Sequence, residues 1–311
     1  MKAVRIHEYG NAEVLRYEDA PDPVCGDDEV VIRVIGTSVN PVDWKIREGH
    51  LQGMITYTMP FIPGWDVSGV VHAVGRSATS FKIGEEVYSR PDITRDGTYA
   101  DYVVVRENEV ARKPKSISHL EAGTLPLAGI TAWEAIVTVG GVTEGQRVLV
   151  HAASGGVGSL AVQIAKSRNA YVIGTASEGN RELVESLGVD EFIDYKTQDL
   201  QTSVKDIDVV FDTIGGATQD SSWSVLRPGG ILISIVSQPS EERAKELGVR
   251  TSYLFIGPNV AALNGLSELV DSGKLRAVVG AEFALSDVKR AHALSESGRA
   301  KGKIALVVGS M

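Results

Sequence analysis

The fold is decided by the stretch VLVHAASGGVG at residues 148–158. It contains the pattern G-x-G-x-x-G with Ala153 in the first position, and it lies between an apolar run and a segment, 157–165, whose apolar residues recur at helical spacing. A small first residue permits a tight exit from a strand, Gly155 lets the backbone approach a pyrophosphate, and Gly158 lets the helix pack on the sheet. In this context of strand, turn and helix, we predict a dinucleotide site rather than a purely structural glycine turn.

Strand and helix patterns alternate on the C-terminal side of this stretch. A capping box of Ser118 and Glu121 marks the start of the region. Short apolar runs predict strands at 148–150, 171–173, 192–193, 209–211 and 231–236. This alternation is typical of a doubly wound parallel sheet, so we predict an α/β Rossmann domain over residues 119–257.

The N-terminal part of the chain has a different pattern. Apolar β-type runs such as Val30–Val34 and Val67–Val74 are separated by Gly, Pro and Asp, which indicates a compact, mostly β domain. The segment after residue 257 is too short to fold alone, so we expect it to return to the first domain. The predicted second domain therefore comprises residues 1–118 and 258–311.

Composition excludes several classes of protein. The 311 residues carry a formal net charge of −9, which argues against nucleic acid as the main partner. The single Cys25 excludes an intramolecular disulfide and a zinc site built on several thiolates, and it favours a cytoplasmic location. The charged N-terminus does not look like a signal peptide, and glycines interrupt the apolar residues 148–165, so we expect no membrane segment.

The end of the second predicted strand indicates which dinucleotide binds. An NAD site would place an acidic residue there, but the strand ends at Ala176 and Ser177, with Arg181 close behind. A hydroxyl and a guanidinium suit a 2′-phosphate, and Tyr195 with Lys196 could add an aromatic wall and a second cation. The alternative is that Ser177 and Arg181 merely begin a helix, with a carboxylate at 178 opposing phosphate. We favour NADPH as the cofactor.

A β domain followed by a dinucleotide domain resembles the medium-chain dehydrogenase/reductase superfamily. The segment Asn40-Pro41-Val42-Asp43 resembles the one in which zinc alcohol dehydrogenases carry a ligand Cys, and Gly64-Trp65-Asp66 resembles their Gly-His-Glu segment. Asn40 and Trp65 thus stand where the thiolate and imidazole ligands would be, and the four-Cys structural lobe is missing. We therefore expect no metal site, and a zinc alcohol dehydrogenase is nearly excluded.

The remaining similarity is to the zinc-independent branch of quinone oxidoreductases, zeta-crystallin-like proteins and enone reductases. It rests on the segments 40–43, 63–66, 125–132, 152–158 and 212–216. The resemblance implies a GroES-like β-barrel domain, a Rossmann domain and a cleft between them. It also implies hydride transfer from NADPH to a small-molecule quinone or α,β-unsaturated carbonyl. Such conjugated acceptors spread the arriving charge themselves, so a metal is less necessary.

The resemblance also implies site residues. Asn40, Asp43 and Tyr57 are the candidates on the acceptor side. The candidates for cofactor binding are Thr131, Ser154, Gly155, Gly156, Val157, Ser177, Arg181, Tyr195, Ile235, Val236 and Phe255. Simpler interpretations stay open: Asn40 as a turn residue, Asp43 as a helix cap, and Tyr57 or Phe255 as plain core. No residue identifies itself as the proton donor.

Two further expectations follow from the resemblance. Related proteins pair the edges of their Rossmann sheets, so we expect a homodimer through the β-rich segment 249–256. A non-catalytic NADPH-binding protein that senses redox state or acts as a scaffold is the alternative to an enzyme. The sequence does not reveal the physiological acceptor.

Overall fold

The structure is a computed structural model that describes residues 1–309. These residues form two compact units. The first comprises residues 1–130, 257–271 and 277–309, and the second comprises Thr131–Ile256 and Ser272–Arg276. Among the described residues, no helix is both long and apolar enough to span a lipid bilayer.

The N-terminal part of the chain consists mainly of strands, as its β-type runs predict. Its elements are β1 (Lys2–Arg5), β2 (Arg16–Asp19), β3 (Glu29–Val39), α1 (Pro41–Arg47), β4 (Val67–Val74), β5 (Glu86–Ser89), β6 (Tyr102–Arg106), β7 (Val110–Arg112), α2 (His119–Ala122) and α3 (Pro126–Trp133). Helix α1 begins at Pro41 because the Asp43 carboxylate accepts from the backbone N–H of Asn40 and proline suits a first helical position.

The second unit is built on a parallel sheet. Its elements are β8 (Arg147–Val150), α4 (Gly156–Ser167), β9 (Tyr171–Ala176), α5 (Arg181–Ser186), β10 (Glu191–Asp194), α6 (Leu200–Ser203), β11 (Ile207–Asp212), α7 (Gly216–Ser222), β12 (Leu226–Ser234), α8 (Glu241–Leu247) and β13 (Arg250–Tyr253). The strand order is β10-β9-β8-β11-β12-β13, and every pair is parallel. This is the doubly wound order, so the predicted Rossmann domain is confirmed.

The C-terminal part of the chain completes the first unit. Its elements are α9 (Val260–Asp271), β14 (Val279–Ala284), α10 (Val288–Glu296) and β15 (Lys303–Val307). Strand β15 pairs antiparallel with β3, so that Ile304 lies opposite Val39. The resulting seven-stranded sheet follows the order β14-β15-β3-β4-β5-β7, with β6 also paired to β3. Only β14 and β15 are parallel to each other, and the expected GroES-like antiparallel sheet is confirmed.

The boundary between the units lies later in the chain than the sequence suggests. Residues 119–130 belong to the first unit, whereas sequence analysis begins the second domain at residue 119. Helix α2 packs directly on β3: a β-carbon on Gly36 would lie 2.7 Å from the carbonyl oxygen of His119. The His119 ring is also 2.8 Å from the hydroxyl of Ser68. A capping box marks where a helix begins, but it does not show which sheet the helix covers.

Each unit has its own apolar core. In the first unit, one cluster fills the sheet interior around Val34 and Val87, and a second surrounds Trp65 and includes Leu285 and Ile304 from the C-terminal part. In the second unit, a cluster that includes Leu149 buries apolar side chains from strands and helices. Burial of one such aliphatic side chain contributes about 1.5–3 kcal/mol to folding.

Candidate active site

The glycine turn lies between β8 and α4, as predicted. Gly155 caps α4, and its N–H donates to the carbonyl oxygen of Ala152 at 2.8 Å. A β-carbon on Gly158 would lie 2.2 Å from that same oxygen, so only glycine fits there. The residues Gly155, Gly156 and Val157 are half-buried, and the last two begin a twelve-residue helix whose first amides lack partners within the helix. Such a helix start suits a pyrophosphate, and the turn therefore fits the predicted dinucleotide.

An asparagine that sequence analysis missed joins this turn to the end of β9. The side-chain N–H of Asn180 donates to the hydroxyl of Ser154 at 3.1 Å and to that of Ser177 at 3.3 Å. The buried Oδ1 of Asn180 has no hydrogen-bond partner within residues 1–309. Asn180 precedes α5, and its position as N-cap is the one signal that could have revealed it. Ser154 and Ser177, predicted separately, are thus linked through one amide.

Arg181 lies where predicted, but its guanidinium is already paired. Its Nε and Nη2 donate to the two carboxylate oxygens of Glu178, at 2.7 and 2.9 Å. Tyr195 is 62% exposed just after β10, with Lys196 Nζ 6.0 Å from its ring centroid. The exposed cations and the phenol lie beyond the carboxyl ends of two neighbouring strands, β9 and β10.

The other predicted cofactor residues of the second unit follow the strand ends. Strand β12 ends at Ser234, two residues before the predicted end, so Ile235 and Val236 lie in the following loop. Val236 is 40% exposed, and Phe255, after β13, is 48% exposed. Because the sheet is parallel, these side chains lie at the same edge as the glycine turn. Thr131, in contrast, is buried within α3.

Two buried polar residues hold this edge of the sheet together. His151 bridges Thr175 and Ser222 through its two ring nitrogens, at 3.1 and 2.9 Å, and burial lowers its pKa to about 4. Asp212 accepts hydrogen bonds from the backbone N–H groups of Ile214 and Gly215. His151 is therefore a neutral structural residue, and Asp212 shapes the turn after β11.

In the first unit, Asn40 belongs to a buried cluster of a cation, an anion and an amide. Its Nδ2 donates to Oδ2 of Asp66 at 2.7 Å, and its Oδ1 accepts from the ammonium of Lys303. Lys303 Nζ also lies 3.3 Å from Asp66 Oδ2, which in turn accepts from the hydroxyl of Ser38 at 2.5 Å. Both ends of the Asn40 amide are thus engaged, and the residue is 2% exposed.

Asp43 lies at the end of a second buried network. Its Oδ2 accepts from the backbone N–H of Asn40 and from the hydroxyl of Tyr99, each at 2.7 Å. The Tyr99 hydroxyl is 3.3 Å from Nε2 of His292, whose Nδ1 is 3.2 Å from the guanidinium of Arg47. Burial raises the pKa of Asp43 to about 7 and lowers that of His292 to about 3. The network fixes α1 and, with it, Asn40.

Tyr57 is half-buried and packs within the first unit. Its ring stacks on Phe61 with the centroids 4.0 Å apart, and its hydroxyl donates to the carbonyl oxygen of Ile93 at 2.6 Å. Burial raises its pKa above the ordinary value. The phenolic hydroxyl of Tyr57 therefore donates its hydrogen bond to a backbone carbonyl oxygen.

Asn40 and Trp65, which stand where zinc alcohol dehydrogenases carry their metal ligands, do not fit zinc. Trp65 is fully buried, and its indole offers no lone pair to a metal ion. The amide oxygen of Asn40 accepts from the Lys303 ammonium, which places a positive charge directly beside the atom that would bind a metal ion. Within residues 1–309, no group of three or more His, Cys, Asp and Glu side chains could hold a metal ion. This donor set differs from the three His, Cys or carboxylate ligands of catalytic zinc.

The fold and these sites define a class of proteins with a GroES-like unit and a Rossmann unit. The chain matches the alcohol dehydrogenase GroES-like domain over residues 26–115 and the zinc-binding dehydrogenase family over residues 187–306. It is 34% identical to human NAD(P)H oxidoreductase RTN4IP1, mitochondrial, over 99% of this chain and 89% of that protein. It is 33% identical to the chloroplastic quinone-oxidoreductase QR1 of Triphysaria versicolor, over 98% of this chain and 97% of that protein.

A solved structure shows the same architecture. The quinone oxidoreductase from Coxiella burnetii has a TM-score of 0.91 and 32% identity, and the match covers 99% of both chains. The chain belongs to the medium-chain dehydrogenase/reductase family of oxidoreductases, in its quinone oxidoreductase branch. The predicted resemblance is therefore confirmed. The cytoplasmic location and the homodimer stay predictions.

Proposed function

We propose that this chain is an NADPH-dependent oxidoreductase that reduces a quinone or an α,β-unsaturated carbonyl compound without zinc. The observation that carries the proposal is the turn between β8 and α4. There, Gly158 lies against the carbonyl oxygen of Ala152, Gly155 caps the helix, and Gly156 and Val157 begin it. A turn of this geometry at the carboxyl edge of a parallel sheet suits a dinucleotide pyrophosphate.

The proposed cofactor contacts fall into groups, each of which holds a different part of NADPH. Ser154, Gly155, Gly156 and Val157 hold the pyrophosphate. Ser177, Arg181 and Tyr195 hold the adenosine end, whereas Thr131, Ile235, Val236 and Phe255 serve the nicotinamide end. A mycobacterial relative with 27% identity and a TM-score of 0.89 is described as complexed with NADPH, which supports this choice of cofactor. When bound, NADPH supplies the hydride.

Support for the acceptor class comes from the names of relatives. One is a quinone oxidoreductase, and another, from Solanum lycopersicum, is a 2-methylene-furan-3-one reductase that is 34% identical over 98% of this chain and 79% of that protein. Quinones and enones share a conjugated carbonyl that accepts a hydride and then a proton. Positioning supplies much of the rate for such acceptors, which is consistent with a site that lacks metal ligands.

In the first unit, we propose that side chains contribute to the reaction by positioning the Asn40 amide. The Lys303 ammonium and the Asp66 carboxylate hold both ends of the Asn40 amide, and Asp43 holds its backbone N–H. One N–H of the Asn40 amide is left to orient an acceptor carbonyl. Asp43 acts through Asn40, and the Tyr57 hydroxyl holds the loop at Ile93. No side chain is assigned as proton donor, and water is sufficient as the proton source for the reduced acceptor.

Initial rates of NADPH oxidation with two acceptors test the proposal. We expect NADPH to be oxidised in the presence of 1,4-benzoquinone or a simple enone, and we expect a metal chelator to leave the rate unchanged. Elemental analysis of the same protein controls for zinc. One tightly bound zinc per chain, with activity lost on chelation, contradicts the metal-free site. Tight NADPH binding with no oxidation across a panel of acceptors favours the non-catalytic alternative.

A further inference from the structure

The guanidinium of Arg181 is surrounded by acidic side chains of its own helix and the preceding turn. Glu178, three residues earlier, binds two of its nitrogens at 2.7 and 2.9 Å. Glu185, four residues later, accepts from the third, Nη1, at 3.3 Å. One face of the guanidinium lies 4.2 Å from the ring centroid of Phe192. Each of the three nitrogens therefore donates to an acidic side chain of the chain itself, and one face of the cation packs on an aromatic ring.

Glu178 and Arg181 form their ion pair close to the end of β9. Glu178 lies two residues after β9 ends, just beyond the strand-end position at which an acidic residue holds the ribose hydroxyls of NADH in a Rossmann site. The two-oxygen contact is the form in which arginine also binds phosphate. Glu178 thus occupies the same donors that a 2′-phosphate would need.

From this geometry we infer that Glu178 determines cofactor specificity in this chain. Its carboxylate competes with the 2′-phosphate of NADPH for Arg181, while it can accept hydrogen bonds from the unphosphorylated ribose of NADH. The inference rests on the proposed function and refines it: NADPH is preferred by a narrow margin, and NADH is also used. The ammonium of Lys196 has no ion pair within residues 1–309. Together with Ser177, it provides the remaining attraction for the 2′-phosphate.

Coulomb's law gives the size of the effect of Glu178 on NADPH binding. A 2′-phosphate carries nearly two negative charges at neutral pH. Opposing it with one carboxylate at about 6 Å in water weakens binding by about tenfold. Losing the Arg181 contact adds to this effect, whereas NADH carries no charge at that position and escapes both.

A double-mutant cycle separates Glu178 from Arg181. Binding of NADPH and of NADH is titrated to the wild type, Glu178→Gln, Arg181→Gln and the double variant. We expect Glu178→Gln to tighten NADPH binding by at least about tenfold and to change NADH binding by less than about threefold. Arg181→Gln should weaken NADPH binding only slightly in the wild type and more strongly in the Glu178→Gln background, where it removes the part of the gain that the released guanidinium contributes. Fragment titration with 2′,5′-ADP should show the same pattern, because it carries the distinguishing phosphate.

A matched control tests whether the loss of any nearby negative charge is enough to change the preference between NADPH and NADH. Glu182 is exposed beside Arg181 and has no hydrogen bond or ion pair in the described part of the chain, so Glu182→Gln should change the preference less than about twofold. An unchanged preference in Glu178→Gln, or an equal shift in both glutamine variants, contradicts the inference alone. A wild type that binds neither cofactor overturns the proposed function and the inference with it.

Discussion

Lys303 Nζ lies 3.3 Å from Asp66 Oδ2 in the interior of the first unit, where the two side chains are 6% and 0% exposed. The pair joins β15, near the C-terminus, to the residue that precedes β4. A buried ion pair of this kind needs further hydrogen bonds, and Ser38, Asn40 and the backbone N–H of Leu127 supply them to the carboxylate. The cluster fixes the Asn40 side chain.

Removal of the ammonium should be strongly destabilising. We expect Lys303→Met to lower the free energy of unfolding by about 3–5 kcal/mol, because Asp66 then remains buried without a cation. Urea denaturation at neutral pH measures the loss. Lys289→Met is the matched control, since its pair with Glu13 is exposed and should contribute less than about 1 kcal/mol. Equal losses in the two variants would show that the buried pair contributes no more than the exposed one.

The raised pKa of Asp43 predicts a pH-dependent stability. Between about 3.9, the value in an unfolded chain, and about 7, the folded protein holds a proton that the unfolded chain has released. Rising pH therefore weakens folding by about 1.4 kcal/mol per unit across that window and has no further effect above it. His151 and His292, with pKa values lowered to about 4 and about 3, act in the opposite direction up to about pH 6.5.

Comparison with Asp43→Asn isolates this contribution, because the two histidines remain in both proteins. The stability of the wild type relative to the variant should fall by roughly 2 kcal/mol between about pH 5 and about pH 7, and level off above about pH 7. Denaturant unfolding at several pH values measures the difference. A difference that rises with pH would mean that Asp43 is ionised in the folded protein throughout this range.

Tyr57→Phe should preserve turnover. The hydroxyl donates to the backbone of Ile93, so its loss should reduce stability by about 0.5–1.5 kcal/mol and the rate by less than about threefold. Initial rates across pH, together with a melting curve, check both expectations. A loss of more than about a hundredfold with an intact fold would instead identify this phenol as the proton donor.

The sequence predicts the second unit well because its signals are local. Strand, glycine turn and amphipathic helix follow one another between Arg147 and Ser167, and each leaves a periodic pattern that can be read without knowledge of the rest of the chain. Strand β12 is less well predicted at its end, since Ile235 and Val236 continue its apolar run although the ladder stops at Ser234. Apolar composition alone does not mark where a strand ends.

The clusters of the first unit depend on pairing across long distances in the chain. Lys303 meets Asn40 only because β15 pairs with β3, and Tyr99 and His292 reach Asp43 from separate elements. No spacing rule connects residues so far apart in sequence. The competition at Arg181 is a different case, because Glu178 lies at helical spacing and its opposition to phosphate is visible in the sequence, whereas the bidentate contact is not.

The most direct test of the account is titration of NADPH into the wild type and Gly155→Val. A β-carbon on Gly155 would have one close neighbour, the carbonyl oxygen of Ala152 at 3.2 Å, and its backbone is in an ordinary extended conformation, so the fold should survive. We expect one NADPH per wild-type chain, weaker binding in Gly155→Ala, and at least a roughly hundredfold loss in Gly155→Val, with little change in melting temperature. Equal NADPH affinity in all three proteins would contradict a pyrophosphate site at this turn.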